Sequence, residues 1–326
     1  MRKKFYVTVD TETCTLPFIN EWNLSAKDKQ KIAIAKPLVY DLGWVVSDRQ
    51  GNIIKTRNYL IQETFFVPNV FNTVYYRDKR PIYMDLLAKG EIEPKCWKEA
   101  FQELLEDMEN ADMTCAYNVC FDYKKAIPFT DNYINHLYSN DYNKWEYAQR
   151  KSCESMLKGK SESHNEDYLK PYVNFNGNEY PICDLWGVAC ERLINIDKYR
   201  NYCLENKLIS HSAEFFKSSA ETSFQYLMKN YEFIEDHTAL SDALIEKEIL
   251  TKALKKGKIE PCIKEFPFRT LGTTFNYVAE KKPKYKDALL EMLEMYIEES
   301  NAIERAENGV GYYKRILKEY NRLQDL

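Results

Sequence analysis

Long apolar runs are missing from this chain of 326 residues: no stretch of 18 apolar residues occurs, so no membrane-spanning helix is expected. The first residues, Met1-Arg-Lys-Lys, lead straight into an alternating apolar pattern without the apolar core of a signal peptide, so a cytoplasmic protein is expected. Nine cysteines occur, but no Cys-x-x-Cys; Cys115 and Cys120 are five apart, Cys183 and Cys190 seven apart. An odd number without a tight framework argues against a disulfide scaffold, and for reduced, mostly buried thiols rather than zinc ligands. An excess of basic charge is missing too. Lys and Arg number 46 against 50 Asp and Glu, a net −4, so any attraction for phosphate must be local or carried by metal ions. Lys158-Gly159-Lys160-Ser161 is not a phosphate-binding loop, because the upstream glycine and a preceding strand are absent. Polymerase and helicase signatures are absent, as are internal repeats.

What is present begins with Phe5 to Thr13. Phe5, Val7 and Val9 alternate with Tyr6, Thr8 and Asp10, the period of a strand. If the strand continues to Glu12, Asp10 and Glu12 share a face. Paired carboxylates repel and raise each other's pKa; a divalent cation removes that penalty. By themselves these residues leave two readings open, a metal pair and two solvated acids in a turn. Residues 16–36 read as a loop with a polar, partly helical middle. Leu38 to Val46 and Ile53 to Ile61 read as strands joined by the turn at Asp48 to Asn52, giving an antiparallel meander. The segment 63–93 gives no clear period, and its aromatics Phe65, Phe66, Phe71, Tyr75, Tyr76 and Tyr83 suit either a core or a groove. Trp97, Ala100, Phe101, Leu104, Leu105 and Met108 fall at helical spacing. Residues 111–117 form a short apolar strand; Asn118 to Asp122 opens a helix that Pro128 disturbs.

Residues 130–180, rich in Asn and Tyr, read as an insertion, helical near 142–157. Tyr180-Pro-Ile-Cys-Asp-Leu-Trp reads as the last strand. Ser218-x-x-Glu221 reads as a capping box before an amphipathic helix containing Phe224, Leu227, Met228 and Tyr231. Another helix runs from about Glu235 to Lys255. Two closing helices, about 285–307 and 311–323, break at Asn308-Gly309; Leu289, Met292, Leu293, Tyr296, Tyr313, Ile316, Leu317 and Tyr320 suit a packed hairpin.

Three short motifs carry the chemistry: Asp10-x-Glu12 at a strand end, Asn118-x-x-Phe121-Asp122 entering a helix, and His237-Thr-Ala-Leu-Ser-Asp242 opening a late helix. If the first and fourth strands are neighbours, their ends gather Asp10, Glu12 and Asp122, and a helix crossing that edge adds Asp242 and His237. Phosphodiester hydrolysis needs a nucleophilic water, stabilisation of new charge and a supported leaving oxygen, and two Mg²⁺ ions about 4 Å apart provide all three. Hard cations take oxygen ligands, and a histidine titrating near neutrality can take the proton of the water. Asp122 could equally be a helix-terminal acid, and His237 a residue before a cap. His136, His164 and His211 read as surface residues.

The order and spacing resemble the DEDDh family of DnaQ-like 3′–5′ exonucleases, of the ribonuclease H-like superfamily, over about residues 5–255 with the insertion set aside. Val9-Asp-Thr-Glu-Thr-Cys-Thr-Leu16 resembles the first family motif and Tyr117-Asn-Val-Cys-Phe-Asp122 the second. His237-Thr-Ala-Leu-Ser-Asp-Ala243 resembles the third, the most specific of them. Cys183-Asp-Leu is similar to the Asp-Thr-Leu of the family's last strand. The family usually carries Thr-Gly between Thr13 and Leu16, where this chain has Cys14 and Thr15, a departure that bears on the nucleotide pocket.

The resemblance implies an α/β domain with a mixed five-stranded sheet, three antiparallel strands and two parallel, flanked by helices. It implies that Asp10 bridges two Mg²⁺ ions, for which Mn²⁺ can substitute. Glu12 and Asp242 would hold the ion that activates water, Asp122 would support the second ion, and His237 would be the general base. Thr13 and Leu16 match positions that touch the terminal nucleotide, and Asn118 one near the 3′ end. The implied activity is 3′–5′ hydrolysis of single-stranded nucleic acid to 5′-mononucleotides, DNA first. A 3′–5′ exoribonuclease, including an oligoribonuclease-like one, comes next, and a non-catalytic nucleic-acid-binding module last. The expected partner is single-stranded DNA or RNA with a free 3′ end.

The exonuclease domain is expected over residues 1–257. Residues 258–326 are expected to form a basic, aromatic linker and a helical extension. From Lys247 to Lys286 eleven Lys or Arg face four Glu, a local +7. Lys281, Lys282, Lys284 and Lys286 are candidates for phosphate contacts, and Phe266, Phe268 and Tyr277 for base stacking, against the plain alternative of a packed linker.

Overall fold

The computed structural model describes residues 4–67, 79–159, 166–210, 213–307 and 310–325. Phe71, Tyr75, Tyr76, Lys160, Ser161, His164, His211 and the Asn308-Gly309 break, read above from sequence, lie outside the described residues, as do the side chains of Tyr313 and Ile316. The chain divides into two compact units, Met1–Leu185 with Ile234–Ile263, and Trp186–Phe233 with Lys264–Leu326. A sequence boundary near residue 257 does not anticipate this interleaving, in which residues 186–233 group with the C-terminal segment. Among the described residues no helix is long and apolar enough to cross a membrane.

The first unit is a mixed α/β structure. Its strands are β1 Phe5–Cys14, β2 Leu38–Asp48, β3 Ile53–Ile61, β4 Glu93–Lys95, β5 Met113–Ala116, β6 Tyr172–Phe175 and β7 Asn178–Asp184. Among the described residues they form one seven-stranded sheet in the order β4-β3-β2-β1-β5-β7-β6. The meander β1-β2-β3 is antiparallel, while β5 runs parallel to both β1 and β7. The sheet therefore has seven strands where five were expected. β4 escaped because it is three residues long and contains Pro94, a poor strand former that an edge tolerates. β6 pairs with β7 through the turn Asn176-Gly177, both at positive φ, which places it in the stretch read as insertion.

The longer helices of this unit are α1 Ala26–Ala35, α2 Arg80–Lys89, α3 Trp97–Asn110, α4 Ile127–Leu137 and α5 Tyr142–Leu157, with a short one at Val119–Phe121. The chain returns to it, after α6 Asp197–Glu205 and α7 Ala220–Met228 of the second unit, as α8 Ala239–Lys256. All six apolar positions anticipated in α3 are buried. Before α4 the helix takes a π turn over Asp122–Ala126, close to Pro128, which lacks the amide a regular helix would use there.

β2 explains how the layers form. Its residues are buried almost throughout. A Cβ on Gly43 would lie 2.2 Å from Leu240 N and 2.4 Å from Ala239 C, backbone atoms of α8. The next residue, Trp44, donates its indole N–H to Asp107 of α3 at 2.8 Å. Successive strand residues face opposite sides, so α8 and α3 cover opposite faces. Gly43 is thus the point where the first turn of α8 rests on the sheet. Gly43→Ala is expected to lower stability at or beyond the upper end of the roughly 1–3 kcal/mol range for overpacking, because backbone must move. Urea unfolding of the metal-free protein checks it, and an unchanged midpoint would contradict the close approach.

Away from α8, Glu103 of α3 joins β3 and β4. Burial raises its pKa, but hydrogen bonds from Lys95, Arg57 and Tyr59 outweigh that and hold it at about 2, against 4.5 for a free glutamate. A depressed carboxylate stabilises above its unfolded pKa and loses that contribution as pH falls through its folded pKa. Glu103→Gln is therefore expected to melt below wild type at neutral pH, with the gap closing between pH 4.5 and about 2. Thermal melts over that range measure it.

The second unit is described as α6, α7, then α9 Thr274–Lys281, α10 Lys286–Glu307 and α11 Val310–Gln324. The cap of α7 falls one residue later than anticipated: Ser219, not Ser218, accepts from Thr222 N, while Ser218 accepts from the Trp186 indole N–H. Tyr231 lies beyond α7 and is exposed. Leu289, Leu293 and Leu323 are buried in the closing hairpin, but Leu317 is exposed. Phe275 and Tyr277 are core residues, Tyr277 donating its hydroxyl to Asn201 at 3.0 Å. Phe268 stacks on Trp186, and Phe266 is 45% exposed with Arg269 over its ring. In this segment the packed-linker alternative holds for Tyr277. None of the nine cysteines is in a disulfide, and seven of them are buried.

Candidate metal centre

Strand pairing sets the first two acids. β1 continues through Glu12, so Asp10 and Glu12 share a face, with Asp10 opposite Gly43 and Glu12 opposite Asp41 of β2. The register shifts between Glu12 and Thr13, a bulge that ends the regular alternation beside the site. Because β1, β5 and β7 are parallel, their carboxyl ends share one edge of the sheet, and Asn118 and Asp184 lie at that edge. Asn118 takes a left-handed conformation, φ 82°, and donates its N–H to Asp184 at 3.3 Å. The short helix after it delivers Asp122, which accepts from the Thr11 hydroxyl at 2.6 Å. α8, seated on Gly43, supplies Asp242 in its first turn.

One ligand atom each from Glu12, His237 and Asp242 lies within 4.8 Å of the others. His237 Nδ1 is 3.5 Å from Glu235 Oε2 and 4.0 Å from Asp242 Oδ2. Asp10 belongs to the same electrostatic group. Burial first, then Asp242, Asp122, Glu246 and Glu12, push its pKa well above the carboxylate range. Glu12 is raised by burial and by Asp242, Asp41, Glu235 and Asp122. Burial raises Asp122 despite the Thr11 bond, and burial with Glu235, Asp41 and Asp236 raises Asp242. The fold thus gathers acids that each resist ionisation in the others' presence.

These residues fit a cation. The Asp242 Oδ1 is buried without a hydrogen-bond partner, a costly arrangement for a carboxylate oxygen unless a ligand satisfies it. Carboxylate oxygens suit a hard divalent ion, and the added imidazole also admits a borderline one.

No family model, curated protein or solved structure matches the chain.

The structure brings together the five acid and histidine positions singled out in the sequence. It treats the three expected substrate contacts differently. Asn118 is exposed and Thr13 half-buried at the site's edge, whereas Leu16 is wholly buried in the core of the first unit. His136, expected at the surface, is half-buried and stacks on Trp145.

Sequence reasoning missed Asp41, Glu235 and Glu246. Asp41 is a lone acid in the apolar run of β2, which is itself a signal. Glu246 lies one helical turn beyond Asp242 on the same face; it is buried, accepts from Tyr117 N at 2.9 Å and ties the end of β5 to α8. Glu235 lies two residues before His237, too close to a loop for periodicity to mark.

Proposed function

We propose that the protein is a metal-dependent 3′–5′ exonuclease of the DEDDh type, with a ribonuclease H-like fold, acting on single-stranded nucleic acid, DNA first. The observation that carries this reading is the convergence of Asp10, Glu12, Asp122 and Asp242, remote in sequence, into one acidic cluster with His237 at its side. The likeness of the three motifs to that family supports it, as does the parallel pairing of β1 with β5.

Asp10, Glu12 and Asp242 would hold one Mg²⁺ or Mn²⁺, and Asp10 with Asp122 a second. Bound there, the ions supply a nucleophile at neutral pH and charge stabilisation at the scissile phosphate. The chain's own residues do the rest. The Nδ1 edge of His237 faces Glu235 and Asp242, so its Nε2 is the basic nitrogen that takes the proton of the attacking water. Glu235 orients the ring and stabilises it once protonated. Thr11 donates its hydroxyl to one oxygen of Asp122 and so holds that carboxylate in place. Asn118, exposed at the end of β5, is placed to meet the terminal nucleotide.

A second reading comes from the spacing of Glu12, His237 and Asp242: His237 could itself ligate a single borderline ion. Metal affinity of His237→Ala separates the two.

The polarity test uses four single strands: free 3′ end, 3′-phosphate, circular DNA, and RNA. Stepwise shortening of the first and resistance of the second and third support the reading. Cutting of the circle, which has no end, would refute an exonuclease.

A further inference from the structure

We propose that Asp41 and Tyr83 form a clamp that sets the position of His237; its catalytic consequence rests on the nuclease reading above. His237 is held at φ 52°, in the left-handed region. For a residue with a Cβ that region is disfavoured, so the surroundings must impose it.

The imposing contacts run through Asp41, which holds the first helical amide after His237 and is itself held by Tyr83. Thr238 is the N-cap of α8, yet its side chain makes no capping bond. The first amide of the helix, Ala239 N–H, donates instead to Asp41 Oδ2 at 2.9 Å. A strand residue thus caps the helix that carries Asp242. Tyr83 of α2 gives its hydroxyl proton to the same Asp41 oxygen at 2.9 Å, and the His237 carbonyl oxygen lies 3.5 Å from that hydroxyl. Burial and Asp41 push the Tyr83 pKa far up, so the hydroxyl stays a donor.

Both clamp residues are themselves fixed. Asp41 is fully buried and stands opposite Glu12 in the β1–β2 register. Tyr83 is 1% exposed, edge-on to Tyr40 and Phe65 with ring centroids 5.7 and 5.5 Å away. The base is therefore referenced to the strand pair that holds Glu12, rather than to its own loop. Neither Asp41 nor Tyr83 is placed at the reacting atoms; they are positioning residues.

The test has one arm without activity and one with it. In the metal-free protein, amide exchange at Ala239 is expected to quicken at least tenfold in Asp41→Ala, with α3 unchanged, and to stay near wild type in Asp41→Asn. Asparagine keeps an acceptor oxygen for both donors; it loses only charge. Tyr83→Phe keeps the ring and is expected to lower kcat about 100-fold at unchanged KM, the scale of a 1 Å misplacement. Unchanged Ala239 exchange in Asp41→Ala overturns the clamp, as does wild-type kcat in Tyr83→Phe. If the wild-type protein hydrolyses nothing, the nuclease reading falls while the exchange arm still decides the clamp.

Discussion

Asp10→Ala and Asp242→Ala are each expected to abolish nucleotide release and yet raise the melting temperature of the metal-free protein. Each removes a ligand oxygen, so hydrolysis falls to background. Each also removes one carboxylate from a buried group whose members hold one another's pKa values up. Relief of that repulsion stabilises the fold, by about 2–4 °C for each kcal/mol in a unit of this size. The two effects have opposite signs, which separates a ligand from a residue needed for folding. A structural acid would lose both activity and stability when truncated. Nucleotide release and thermal unfolding, with and without Mg²⁺, measure the pair together. Added metal is expected to raise the wild-type melting temperature and leave that of Asp10→Ala nearly unmoved. Wild-type turnover in Asp10→Ala would remove the basis of the two-metal site.

The second large effect concerns His237. Loss of a general base costs about 10²- to 10⁴-fold in rate, and His237→Ala is expected to lose that much kcat while retaining affinity for Mn²⁺ and for a single strand. The side chain is 34% exposed and its Nδ1 lies within ion-pair reach of two acids, so the imidazole is reachable by water and already oriented. Its acidic limb should vanish from the pH–rate profile, because the residual reaction no longer needs an unprotonated imidazole. Calorimetric Mn²⁺ titration of the variant decides between the roles. A loss of metal affinity parallel to the loss of rate would make His237 a ligand, and an unchanged rate with an unchanged profile would exclude it as the base.

Much of the site was legible because it lies in regular elements. The sequence of β1 alternates from Phe5 to Asp10, so the shared face of Asp10 and Glu12 needed only that the strand run on to Glu12, as it does. The α3 stripe and the meander were equally plain. What stayed hidden depends on partners far away in sequence. Nothing near Gly43 says that α8 will touch it, and nothing near Thr238 says that Asp41, almost 200 residues earlier, will cap the helix. β4 is too short to show a period, and its edge position comes from pairing with β3. For β6 the Asn176-Gly177 turn was a sufficient signal, masked by the polar residues around it. Leu16 is the reverse case. Its motif position suggested a contact with nucleotide, and packing places it among the core side chains instead.

The most direct measurement is single-turnover hydrolysis of a 5′-labelled single-stranded oligonucleotide by the full chain, with and without Mg²⁺, beside Asp10→Ala. The expected result is a ladder shortening by one nucleotide at a time from the 3′ end, only with metal and only with the unsubstituted protein. A full-length substrate at every concentration of Mg²⁺ and Mn²⁺, or the same ladder from Asp10→Ala, would contradict it.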